Sequence, residues 1–187
     1  MRHCGLDPQS PSTQMITFDL KRQTEIFENY QGINLTEFSF KADHSVNDDK
    51  IADAFIRSSQ FSYDSLRDCI KKEPDKGYLR RAFDIDKIKI TDFKKYSKED
   101  TAKFLIDYLN EPDWGDDRFD FSNLLDRYFE IHRQLSSSDF YVISKDWFDK
   151  DDERLIEPES WCYTHYFLII SVDRVLNLLT LTEWTYD

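Results

Sequence analysis

Carboxylates interleaved with large rings are the side chains in this sequence best placed to do chemistry, and they are concentrated. Residues 111–159 hold fifteen Asp and Glu against six Lys and Arg, a net of -9 within a whole-chain charge of -12. The rings alternate with the acids in Asp113-Trp114-Gly115-Asp116-Asp117-Arg118-Phe119-Asp120-Phe121 and again in Asp146-Trp147-Phe148-Asp149-Lys150-Asp151-Asp152-Glu153. Concentrated negative charge attracts a basic partner over long range, and aromatic side chains are enriched where interfaces bind most strongly. The bland alternative is a solvated charge run whose rings belong to the core.

Other chemistry is weakly encoded. Asp146, Asp149, Asp151 and Glu153 supply hard oxygen ligands of the kind calcium or magnesium takes. A twelve-residue calcium loop needs a central glycine, however, and none follows Gly115, so no metal is expected. Paired carboxylates could do acid and base work, but with 37 Asp and Glu some pair will face another in any fold. For a nucleophile, Cys69 or Cys162 would need His132 or His165. Cys162 and His165 stand three apart on an expected strand, on opposite faces, which separates a thiol from its base. Cys162 reads as core, and His132 as a cation at a helix C-terminus, where the helix dipole favours it. No nucleophile-elbow, zincin, Walker or dinucleotide motif occurs, and four glycines leave little for phosphate-cradling loops. The chain reads as a non-enzyme without cofactors.

A basic stretch offers a different reading. Residues 71–98 carry ten Lys and Arg against five acids, with Tyr78, Phe83, Phe93 and Tyr96 among them. Cations with stacking rings hold single-stranded nucleic acid. A balanced surface explains the same residues, and the patch could also meet the acidic one within the chain or across a homodimer. The overall pI near 4.8 repels nucleic acid and anionic membranes, so neither is an expected partner. Three scattered cysteines fit a reducing compartment, no apolar run is long enough to cross a bilayer, and no leader precedes a cleavage site. A cytoplasmic location is expected.

The elements that must position these groups follow from local pattern. Residues 1–14, with two prolines and no apolar period, read as an irregular extension; 15–187 read as one domain, in a chain of 40% hydrophobic and 16% aromatic composition. Alternation predicts short strands over 16–20 and 35–41, punctuated by Gly32. Asn47 caps a helix over 47–57 whose stripe is Ile51, Ala52, Phe55 and Ile56, and Ser62 caps another over 62–72. Residues 83–93 alternate like a strand. Ser97 and Asp100 make a capping box ahead of Ala102, Leu105, Ile106 and Leu109, and a helix is expected over 122–135. The period then falls to two: strands are expected over 140–144, 161–172 and 178–184, the last two joined by a turn at 173–177. The fold class is α+β, an antiparallel sheet built from the C-terminal strands and packed with several helices.

A small acidic α+β chain without a catalytic signature, ending in Trp161-Cys162-Tyr163-Thr164-His165-Tyr166-Phe167-Leu168-Ile169-Ile170-Ser171-Val172 and Leu179-Thr180-Leu181-Thr182-Glu183-Trp184, resembles the immunity proteins of bacterial contact-dependent growth inhibition and related polymorphic toxin systems. The resemblance implies a protein that binds a cognate toxin's C-terminal domain and blocks its active site or substrate path. Some members look like the Whirly fold of single-stranded DNA binders, whose Lys-Gly-Lys-Ala-Ala-Leu stretch does not occur here. Many such toxins are nucleases, basic where they hold phosphate, so a negative surface would imitate their substrate. On that expectation Asp116, Asp117, Asp149, Asp151, Asp152 and Glu153 steer the toxin, and Trp114, Trp147 and Phe148 anchor it.

Overall fold

Two hairpins, one from each end of the described chain, carry the architecture. The computed structural model describes residues 16–62, 72, 79–110, 117–133, 136, 139–148 and 155–187. In chain order the elements are β1 (Thr17–Glu28), β2 (Gln31–Lys41), α1 (Asp48–Ile56), α2 (Ser59–Ser62), β3 (Lys94–Tyr96), α3 (Lys98–Leu109), α4 (Arg118–His132), β4 (Asp139–Ser144), β5 (His165–Asp173) and β6 (Leu178–Tyr186). The six strands form one sheet in the order β1-β2-β6-β5-β4-β3, every neighbour antiparallel. The N-terminal hairpin therefore pairs with the last strand, and the expected α+β class is the class observed.

Both faces of the sheet are covered. On one, Phe38, Phe40, Tyr166, Leu168, Ile170 and Leu181 pack against α1, α2 and the irregular segment 79–93. On the other, Ile33, Leu35, Phe140, Phe167, Ile169 and Trp184 meet α3 and α4. Coverage of both sides explains why β5 is buried at every position from Tyr166 to Asp173 and is apolar without a break from Tyr166 to Ile170. Rings fill the second core: Phe167 stacks on Trp184 at 5.3 Å, and Tyr108 meets Phe167 edge-on at 5.1 Å. Such pairs contribute about 1 kcal/mol each beyond their burial.

Local signals set the helices. Asn47 accepts a hydrogen bond from the Lys50 N–H at 3.0 Å, and Ser97 accepts one from the Asp100 N–H at 3.0 Å. Asp100 takes the Ser97 hydroxyl at 2.9 Å instead of the backbone N–H of a full capping box. Asn47→Ala should cost about 1 kcal/mol of stability, measured as a lowered urea midpoint, because the first turn of α1 then loses its acceptor.

Several expectations are corrected. Gly32 lies inside β2; the hairpin turns at Asn29 and Tyr30, with Asn29 in the left-handed region at φ 50°. β1 runs to Glu28 because an edge strand with a bulge beside Lys21 needs little apolar patterning. Residues 83–93 form no strand: they make one bridge, Phe83 to Ile156, and a 3-10 turn at Ile90–Asp92. Of the alternating residues, Ile88 is buried and Ile85 and Ile90 pack half-buried against the first core, so the pattern records packing rather than pairing. Ser62 is itself helical, within α2, rather than a cap preceding the first turn, and the remainder of the expected helix, 63–71, lies outside the described residues. α4 begins at Arg118, four residues before the expected start, and β5 begins at His165 after a 3-10 turn, Pro158–Cys162. Residues 1–14 also lie outside the described residues.

Candidate functional site

Among the described residues, chain reversals bring Asp117, Phe119 and Asp120 of one candidate segment and Asp146 of the other to one end of the sheet. Gln31 pairs with Tyr186 and Tyr186 with His165, so the β1–β2 turn, the end of β6 and the start of β5 lie side by side. β4 leaves the sheet beside them through a 3-10 turn, Lys145–Trp147. α4 is tied to the same edge. Gln31 Nε2 donates to the Asp117 carbonyl at 2.8 Å, Asn29 Nδ2 donates to Asp120 at 2.6 Å, and the Tyr186 hydroxyl donates to the Asp117 carboxylate. Asp117 makes no side-chain bond to the helix N-terminus it precedes. The bond to Asp117, followed by burial, pushes the Tyr186 phenol up to about 12, so it remains the donor.

Beside this edge Asp146 organises a second cluster. The Tyr108 hydroxyl donates to Asp146 Oδ2 at 2.5 Å, and His165 Nδ1 lies 2.9 Å from the same oxygen. Burial alone would push this carboxyl up; the bonds from His165 and Tyr108 outweigh it and hold the group below the usual carboxylate range. Asp146 is therefore a carboxylate at neutral pH, held through Oδ2, and Oδ1 has no partner among the described residues. It opens onto a cleft of about 630 Å³, also lined by Phe148, Ile156, Glu157, Trp161 and Tyr163. Lys145 braces the far wall, its ammonium donating to the carbonyls of Ser160 at 2.8 Å and Tyr163 at 2.6 Å. That brace fixes the turn presenting Trp161, whose indole is 81% exposed.

The same end carries three more exposed rings: Phe27 at 56%, Tyr30 at 71% and Phe119 at 70%. Phe27 lies across Gly32, where a Cβ would stand 2.7 Å from the ring, so only glycine leaves that position open. An exposed ring leaves roughly 2 kcal/mol of burial unrealised, and four of them at one edge form the strongest candidate for a contact surface.

The expected site residues are distributed unevenly. Asp117 stands in this surface, half-buried and bonded as above. Trp147 and Phe148 are half-buried and pack into the two cores: Trp147 meets Phe104 edge-on at 5.8 Å with Lys94 3.8 Å above its ring, and Phe148 meets Phe83 at 6.1 Å. Trp114, Asp116, Asp149, Asp151, Asp152 and Glu153 lie outside the described residues, as does Cys69. Of the carboxylates considered for a cation only Asp146 is described, and no described group of three or more His, Cys, Asp or Glu could hold a metal ion. Phe27, Tyr30, Phe119 and Trp161 were not among the expected contacts. Their exposure, and the meeting of Asp146 with residues 19 and 38 positions away, leave no local signature.

Two histidine readings change. Cys162 and His165 do not share a strand, since Cys162 closes a 3-10 turn and packs against the first core. His132 is only 3% exposed, and burial pushes its imidazole down to about 4, with Lys98 adding in the same direction. A neutral ring cannot be the cation at the helix end. The basic stretch is largely engaged internally. Lys95 reaches Asp49 and Asp139 at 2.8 and 2.7 Å, Lys72 reaches Glu157 at 2.6 Å, Lys87 reaches Asp84 at 2.8 Å, and Arg81 lies 3.5 Å from Glu183.

The arrangement defines an α+β protein with an acidic and aromatic edge at one end of a sheet covered on both faces. Comparison with models of known families, with curated proteins and with solved structures finds no match to this chain. No helix among the described residues is long and apolar enough to cross a membrane.

Proposed function

We propose that this chain is a toxin-neutralising immunity protein that binds and blocks a cognate, basic, nuclease-type toxin domain in the cytoplasm. The observation that carries the reading is the sheet end, where the exposed rings of Phe27, Tyr30, Phe119 and Trp161 stand among the carboxylates of Asp117, Asp120 and Asp146. Negative charge accelerates encounter with a basic surface to roughly 10⁸ per molar per second at low salt, and buried rings then slow release. Both matter to an inhibitor that must capture an enzyme before it turns over. In the sequence, the acids between 111 and 116 immediately precede Asp117, and those between 149 and 153 immediately follow Phe148. Engagement of Lys72, Lys87, Lys94 and Lys95 by partners within the chain argues against the alternative, a nucleic-acid module acting through 71–98.

The test is co-purification with the toxin domain encoded beside this chain, followed by kinetics between about 50 and 500 mM salt. The expected result is a stoichiometric complex whose association slows with salt while dissociation hardly changes. Asp120→Lys should lower the association rate, and Tyr30→Ala with Phe119→Ala should weaken binding by about thirtyfold, chiefly through faster release. Retention of a single-stranded oligonucleotide at physiological salt, with no toxin complex, would sink this reading and favour the nucleic-acid module.

A further inference from the structure

The cleft beside Asp146 combines features that occur together nowhere else among the described residues. Its volume of about 630 Å³ falls in the ordinary range for ligand sites, roughly 300–1,000 Å³. Its lining combines the apolar side chains of Phe148, Ile156 and Tyr163 with Asp146. Tyr108 and His165 both bind Oδ2, so the group is oriented by the scaffold through one oxygen and offers the other. At the rim Trp161 is held in the open by a turn whose carbonyls are satisfied by Lys145. Lys145 is thereby spent on the frame, and Glu157 in the same lining is matched by Lys72.

An oriented carboxylate with a vacant acceptor, an exposed indole and an apolar lining suit a planar cation on an aliphatic stem. Guanidinium satisfies all three: it is always charged, donates through its N–H groups to a carboxylate oxygen and stacks on aromatic faces, while its methylenes cover apolar surface. An ammonium would use the charge and lose the stacking geometry. We propose that this cleft receives an arginine side chain of the partner protein, with the guanidinium donating to Asp146 Oδ1 and lying against the Trp161 indole. The assignment rests on the inhibitor reading and makes it specific, because it names the residue type by which a basic toxin domain is held.

The tripeptides Gly-Arg-Gly, Gly-Lys-Gly and Gly-Gln-Gly serve as probes, read by the indole N–H resonance that disappears in Trp161→Phe. Gly-Arg-Gly should shift that resonance saturably at millimolar concentration, Gly-Lys-Gly should bind about tenfold more weakly, and Gly-Gln-Gly should leave it unmoved. Asp146→Asn keeps the shape and an acceptor for Tyr108 but removes the charge, and should weaken Gly-Arg-Gly at least tenfold. Trp161→Ala, at a fully solvated position, leaves the fold intact and should weaken the toxin complex by a similar factor. A toxin complex indifferent to both substitutions, with no shift from Gly-Arg-Gly, overturns the arginine site and leaves the inhibitor reading standing. Saturable Gly-Arg-Gly binding without any toxin complex overturns the inhibitor reading and leaves a guanidinium site.

Discussion

Replacing Arg81 with alanine should lower stability by about 3–5 kcal/mol, the range found when one partner of a buried ion pair is removed. Arg81 is 4% exposed and Glu183, facing it from β6, is 2% exposed, with 3.5 Å between Nη1 and the carboxylate. The Tyr166 hydroxyl donates to the same carboxylate, and Nε and Nη2 of Arg81 donate to the Phe61 carbonyl at 3.1 and 3.0 Å. The guanidinium also lies 4.9 Å from the centre of the Phe61 ring. One side chain thus neutralises a buried charge on the sheet and ties α2 to it. Truncation removes the counter-charge and two donors together. Arg81→Met combined with Glu183→Leu should recover most of the loss, because a buried pair exchanged for apolar groups of similar volume is often neutral. Urea unfolding of the two variants beside the unaltered protein measures this; a loss below about 1 kcal/mol for Arg81→Ala would show that water reaches the site.

Acid should weaken the fold between pH 6.5 and 4 through His132. Its nitrogens have no hydrogen-bond partner among the described residues, its ring lies 4.1 Å from that of Tyr128, and burial pushes its pKa down to about 4. The unfolded chain takes up the proton near pH 6.5 and the folded chain only near 4, so between these values the unfolded state binds more protons and stability falls as pH falls. The loss is about 1.4 kcal/mol per unit, saturating near 3 kcal/mol below pH 4. Depressed carboxylates such as Asp49, bonded by Lys95 and Tyr141, lose their contribution only as pH falls through still lower values, so the two effects separate along the pH axis. His132→Leu should abolish the slope between pH 6.5 and 4. It should also stabilise the protein at neutral pH, since two buried polar atoms without partners are exchanged for apolar contact. An unchanged slope in the leucine variant would assign the acid sensitivity elsewhere.

How much of this was legible in the residues divides along a physical line. α1 was readable in cap and stripe, which act within a few positions: Asn47 makes the expected bond, and Ile51, Ala52, Phe55 and Ile56 are all buried. α3 was readable in its Ser97 cap but not in its face: of the expected stripe only Leu105 is buried, Ile106 is exposed, and Thr101 and Tyr108 take the buried positions. β5 and β6 were readable because strands buried on both faces demand bulky residues in succession, and their turn lies where expected. β1 was recognised only at its start, since an edge strand satisfies one row of backbone bonds and can remain polar. The alternation of 83–93 misled because packing of Ile85, Ile88 and Ile90 against the core needs no strand partner.

For the site, the sequence by itself determined the excess of carboxylates over cations in 111–159 and, with it, the negative sign of that segment's field. Composition sets the sign of the long-range field wherever the chain goes. Only the tertiary structure decided which rings face outward. Trp147 and Phe148, read as anchors, pack into the cores, while Trp161 and Tyr30 stand in solvent. Only the tertiary structure, likewise, brought Asp146 to His165 and Tyr108 from β5 and α3. Exposure and long-range hydrogen bonds are properties of how elements stack. That stacking depends on the register of six strands and on two helical layers, which no short stretch of residues contains.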